Sequence, residues 1–122
     1  MNGALVSVVD DDESLRESLP DLLKEFGFKA CTFSSAEEFL SSDCLNRTGC
    51  LLLDIAMPGM NGFDLQRELQ LRGRKIPIVF ITAQTDEALR AKAFARGAVG
   101  FLLKPFSDTA LLASVETALR TS

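Results

Sequence analysis

The sequence predicts an α/β fold: an open, doubly wound sheet of five parallel strands with helices on both faces. Five short apolar runs rich in β-branched residues alternate with five longer amphipathic stretches, the pattern of βα units feeding a parallel sheet. The runs mostly lack polar alternation, as strands covered on both faces do. A chain of 122 residues also has the size of one domain, for which roughly 100–150 residues is the commonest length.

In chain order, the first strand is predicted over residues 4–9, where ALVSVV runs into three aspartates. Apolar residues at helical spacing predict the first helix over 13–26, with Asp12 as N-cap and Gly27 just past its end. Pro20 falls inside that helix, where it removes an amide donor and crowds the carbonyl of Arg16, so a bend is expected. The second strand follows over 28–32, and Ser35 caps a helix over 35–42. The third strand, 50–53, runs into Asp54 and the loop Ile55-Ala56-Met57-Pro58-Gly59-Met60-Asn61-Gly62, which leads to a helix over 62–71. The fourth strand, 78–81, precedes a helix over 86–95 that ends at Arg96 and Gly97. The fifth strand, 99–103, leads through Lys104-Pro105 to the N-cap Ser107 and a last helix over 108–119.

Composition narrows the function classes. Apolar residues at 47% and charged residues at 25% are those of a globular chain with a core. A net charge of −4 argues against direct nucleic-acid binding, which draws on clustered Lys and Arg. No apolar run approaches the roughly 20 residues of a membrane span, and the N-terminus lacks a basic stretch followed by an apolar one. A cytoplasmic protein is expected. Cys31, Cys44 and Cys50 are odd in number and lack metal-ligand spacing, so they are expected to be small buried apolar residues. The chain has no histidine, which removes His-based acid–base catalysis, Ser-His-Asp triads and His-ligated metals. Any metal is expected to be held by oxygen.

In a doubly wound sheet the functional crevice lies at the C-terminal ends of the strands. The residues after each strand converge there. Asp10-Asp11-Asp12 follow the first strand, Asp54 the third, Thr82-Ala83 the fourth and Lys104-Pro105 the fifth. Taken singly, each has an ordinary reading: helix capping, a turn aspartate, a β-forming threonine, a solvated lysine. Together they make an acidic pocket with a hydroxyl and an ammonium at its edge. Two carboxylates about 4 Å apart repel by roughly 4 kcal/mol at an effective dielectric near 20, so such a cluster calls for a proton or a cation. All-oxygen donors suit Mg²⁺. A carboxylate nucleophile, a divalent ion and positioned donors are what phosphoryl transfer requires.

VVDDD at 8–12, LLLDIAMPGMNG at 51–62, ITA at 81–83 and KPF at 104–106 resemble the receiver (response regulator) family of bacterial two-component systems, with one receiver domain over 1–122. SAEEFL at 35–40 and KPFSD at 104–108 are similar to the nitrogen-fixation regulator subgroup. The resemblance implies a flavodoxin-like (βα)5 sandwich with strand order 2-1-3-4-5. It also implies that Asp54 is the phosphoacceptor, and that Asp11, Asp54 and the Ala56 backbone carbonyl ligate Mg²⁺, or Mn²⁺ in its place, with Asp10 assisting. Thr82 and Lys104 would bind the phosphoryl oxygens, Thr82 and Phe101 would form a switch pair, and the Lys104-Pro105 peptide would be cis. Ala56 and Gln84, two positions beyond Asp54 and Thr82, would tune the phosphate lifetime. The implied partner is a sensor histidine kinase, the implied chemistry self-catalysed phosphorylation and aspartyl-phosphate hydrolysis. The implied output is phosphorylation-dependent homodimerisation through the fourth helix and fifth strand, passed to an effector domain absent from this chain. Ending at Ser122 just past the last helix, the chain is expected to be a stand-alone receiver or, slightly favoured, part of a longer regulator.

Three rival functions compete with this reading. An aspartyl-phosphate hydrolase on a similar fold wants a second acid two residues beyond the nucleophile, where this chain has Ala56. A nucleotide- or flavin-binding module wants a Gly-rich loop after the first strand, where this chain has three aspartates. A receiver-like adaptor that works without phosphorylation stays open.

Overall fold

Three of the five apolar runs are fully buried strands: β1 (Leu5–Val9), β3 (Cys50–Asp54) and β4 (Ile78–Thr82). The computed structural model describes residues 3–121; Met1, Asn2 and Ser122, at the ends of the expected 1–122 domain, lie outside the described residues. β2 (Lys29–Phe33) and β5 (Gly100–Leu103) form the sheet edges and are less covered than the sequence suggests, with Lys29 and Leu103 exposed. All neighbours pair in parallel in the order β2-β1-β3-β4-β5. The chain reverses direction across the sheet between β1 and β3, the switch point at which doubly wound sheets open a crevice.

Among the described residues five α-helices cover the sheet: α1 (Glu13–Glu25), α2 (Ala36–Leu40), α3 (Gly62–Leu71), α4 (Glu87–Ala95) and α5 (Asp108–Thr121). Strand side chains alternate between two cores. Leu51, Leu53 and Phe80 pack with Phe39 of α2, Leu65 and Leu69 of α3 and Ala93 of α4. Leu52, Val79 and Ile81 face the other way, toward Leu19 and Leu23 of α1 and Leu111 and Val115 of α5. Among the described residues no helix is long and apolar enough to cross a membrane.

Most boundaries differ from the sequence prediction by a residue or two, and some differences have visible causes. β2 starts one residue late because the Phe28 amide donates to Leu23 O, closing the end of α1 over Gly27, whose φ is 88°. The helix predicted over 35–42 is cut to α2, because the Ser41 and Ser42 hydroxyls donate back to the Glu37 and Phe39 carbonyls and compete with further turns. A 3₁₀ turn at Asp43–Asn46, which the periodicity does not predict, fills the remaining span. α1 continues through Pro20 to Glu25, so the proline does not break the helix. Asp12, Ser35 and Ser107 accept from the Ser14, Glu38 and Ala110 amides as caps.

Candidate functional site

The C-terminal ends of β1, β3, β4 and β5 bring Asp10, Asp54, Thr82 and Lys104 to one edge of the sheet. Pairing places them: Asp54 lies opposite Ile81 in the β3–β4 register, and the Lys104 amide donates to Thr82 O at 2.8 Å. Asp11 follows Asp10 in the β1–α1 loop and is exposed, whereas Asp10 and Asp54 are buried. One carboxylate oxygen from each of Asp10, Asp11 and Asp54 lies within 4.8 Å of the others.

Asp10 is held from several sides. Its amide donates to Phe33 O at 3.1 Å, and its Oδ1 accepts from the Asp12 amide at 2.9 Å. Its carbonyl accepts from Arg16 Nη1 at 2.9 Å. Oδ2 lies 2.9 Å from Lys104 Nζ; beyond that ion pair it has no hydrogen-bond partner. A buried carboxylate oxygen with spare acceptor capacity, beside two further carboxylates, fits a hard divalent cation. The donor set is all oxygen, as Mg²⁺ prefers.

Burial, followed by the charge of Asp10, pushes the Asp54 carboxyl up to about 7, with contacts to Asp11 and Asp10 adding to the rise; the Lys104 charge pulls the other way. Burial works against the Lys104 charge, but Asp10, by hydrogen bond and charge, and then Asp54 hold its ammonium above the ordinary lysine range. The metal-free cluster thus has a proton to release when a cation enters.

The loop behind Asp54 depends on close backbone approach. A Cβ on Gly62 would stand 2.5 Å from Asp54 O, so only glycine fits where α3 begins. Asn61 and Asp64 form a reciprocal capping box at 2.9 and 3.0 Å that sets the start of that helix. Ala56 sits exposed in this loop, two residues beyond Asp54.

Thr82 is 1% exposed, and its Oγ1 accepts from the Gln84 amide at 3.1 Å. Phe101, on β5, is half-buried against the core formed with α2, α3 and α4. The Lys104-Pro105 peptide is cis. A cleft of about 440 Å³ lined by Asp12, Leu15, Ala83, Lys104, Pro105 and Phe106 opens on the lysine side of the site. Another cleft, of about 460 Å³, lies at the opposite ends of β4 and β5 beside Arg74 and Lys75, away from the carboxylates.

Cys44 and Cys50 are buried and Cys31 partly so. Burial pushes the Cys50 thiol up to about 12.

Sequence reasoning missed three supports of the site. The Asn61-x-x-Asp64 spacing was a legible capping signal. The Arg16 bond to a carbonyl six residues away and the contact of Gly62 with Asp54 arise only from tertiary packing.

The family described as response regulator receiver domain matches residues 6–116. Response regulator protein TmoT of Ectopseudomonas mendocina is 40% identical over 117 residues, 96% of this chain and 53% of TmoT. Nodulation protein W of Bradyrhizobium diazoefficiens is 44% identical over 94% of this chain and 51% of its own length. Transcriptional regulatory protein FixJ of Azorhizobium caulinodans is 39% identical over 93% of this chain and 54% of its own. The chain spans about half the length of these curated relatives. The crystal structure of FixJ-N superposes with a TM-score of 0.89 at 36% identity, covering 100% of this chain and 98% of that one. The structure of response regulator StyR gives 0.88 at 46% identity, over 96% of this chain and 59% of that one.

Proposed function

The chain belongs to the response regulator receiver domain family, and on that premise we propose that Asp54 accepts a phosphoryl group from a sensor histidine kinase and thereby switches the surface of α4 and β5. The observation that carries this reading is the meeting of Asp10, Asp11 and Asp54 oxygens within 4.8 Å, with Lys104 Nζ 2.9 Å from Asp10.

Asp10, Asp11, Asp54 and the Ala56 carbonyl are the residues that would hold Mg²⁺, or Mn²⁺ in its place. When bound, the ion offsets the charge of the phosphoryl oxygens. Asp54 in its deprotonated form is the nucleophile: its carboxylate oxygen forms a bond to phosphorus as the phosphorus–nitrogen bond of the donor phosphohistidine breaks. The electron pair leaves on the imidazole nitrogen, which takes a proton from water. Carboxylate attack needs no general base. Lys104 and the Thr82 hydroxyl donate to the phosphoryl oxygens, and water later hydrolyses the aspartyl phosphate.

Phosphorylation adds roughly two negative charges and strong acceptor oxygens. Thr82 is drawn toward them and leaves its bond to the Gln84 amide, and Phe101 repositions. A shift from 1:99 to 99:1 takes about 5.5 kcal/mol, within reach of a few charge-assisted hydrogen bonds of roughly 1.5–3 kcal/mol each. The changed α4 and β5 surface pairs with a second copy, and a cytoplasmic regulator carrying an effector domain outside this chain reads the change. The receiver domain extends over 1–122.

The test is intact mass after incubation with acetyl phosphate, with and without Mg²⁺. One phosphoryl adduct that requires Mg²⁺ supports the reading. A folded, Mg²⁺-binding protein that takes no adduct overturns it in favour of a phosphorylation-independent adaptor.

A further inference from the structure

Arg90 is a cation with no ion pair among the described residues, although Asp86 and Glu87 line the same small cleft of about 220 Å³. Its guanidinium is instead placed over two aromatic rings. Cζ stands 5.1 Å from the Phe94 centroid and 5.7 Å from the Phe101 centroid. The two rings are themselves 6.5 Å apart and tilted by 42°. Phe94 is one helical turn beyond Arg90 on α4, so that contact is local. Phe101 is on β5, so the second contact ties the helix to the strand.

A guanidinium is attracted to a ring face only while the ring lies beneath it. Phe94 shares the helix with Arg90 at i, i+4, so that contact does not require Phe101. The contact with Phe101 exists only in the ring placement seen here, so its free energy counts toward that placement alone.

We propose that Arg90 is a latch on Phe101: seated on Phe94, its guanidinium holds the Phe101 ring in the resting position and sets how rarely the alternative position is populated. The proposal rests on the reading of Phe101 as the movable element of the phosphorylation switch. Arg90 is thus a positioning residue, acting through Phe101 and touching none of the reacting groups.

An exposed cation–π contact corresponds to a population change of about two- to fivefold. Arg90→Gln, at an exposed helix position, therefore raises the rate of Asp54 phosphorylation by acetyl phosphate about two- to fivefold. Arg90→Lys, which keeps a cation, falls between wild type and Arg90→Gln. In a Phe101→Leu background, Arg90→Gln has no effect on the rate. The double-mutant comparison separates a latch from a general charge effect. The proposal is overturned by an unchanged rate in Arg90→Gln, or by the same change with and without Phe101. Should wild type take no phosphate, the switch reading fails by itself, and the latch is then judged by NMR of the unmodified protein. Phe101 ring resonances, assigned against Phe101→Leu, that move in Arg90→Gln support it; resonances that stay in place overturn it.

Discussion

Lys104 Nζ lies 2.9 Å from Asp10 Oδ2, joining the ends of β5 and β1 across a carboxylate that is wholly buried. The contact brings positive charge to the edge that three acids share: the ammonium supplies part of the charge that a metal would. Lys104→Met leaves Asp10 without that partner. Breaking a fully buried pair costs about 3–5 kcal/mol. Because the Lys104 side chain keeps 19% exposure, we expect about 2–3 kcal/mol. Urea denaturation in EDTA measures this loss, and Mg²⁺ should restore part of it while phosphate incorporation stays at least about tenfold down.

Gly62→Ala tests the loop behind Asp54. Its Cβ meets backbone at 2.5 Å, which no rotamer change relieves. Displacing the loop should cost about 1–3 kcal/mol and lower Mg²⁺ affinity, read by thermal denaturation and by metal titration calorimetry. Gly73→Ala, with nothing within 4 Å but a φ of 73°, should lose stability through its backbone alone and leave metal affinity unchanged.

Asp54 gives the pH dependence a definite sign. In the metal-free fold its pKa is about 7, against an ordinary value of 3.8. The folded state therefore holds a proton that the unfolded state has already released, and this group makes stability fall as pH rises from about 4 to about 7, then level off. The melting temperature of wild type minus that of Asp54→Asn, scanned in Mg²⁺-free buffer, should decline over that window and stay flat above it. Mg²⁺ affinity should rise over the same window.

Phe94 and Leu103 are each 41% exposed on α4 and β5, apolar area that a second copy could cover. Sedimentation velocity should find a dimer after phosphorylation and a monomer before it. Leu103→Glu should stay monomeric while still accepting phosphate.

The central strands were legible because β1, β3 and β4 are continuous apolar runs buried on both faces. Sequence rules also bring Asp10, Asp11, Asp54, Thr82 and Lys104 together as candidates, since each stands at or just past the C-terminal end of a strand, and the structure gathers them at one edge. Edge character at Lys29 and Leu103 was harder to see, because apolar content in a short run does not tell an edge from a centre. The 3₁₀ turn at Asp43–Asn46 carries no helical period to read. Arg16 on the Asp10 carbonyl and Arg90 over Phe101 depend on where long side chains settle after packing, which local patterns do not encode.

The most direct test of the central claim is the position of the phosphoryl group. Borohydride reduction of protein phosphorylated by acetyl phosphate and Mg²⁺ turns an aspartyl phosphate into homoserine, which peptide mass spectrometry locates. The account predicts homoserine at position 54 and none in Asp54→Asn. Homoserine at another aspartate, or phosphate that survives at Asp54→Asn with unchanged yield, would contradict it.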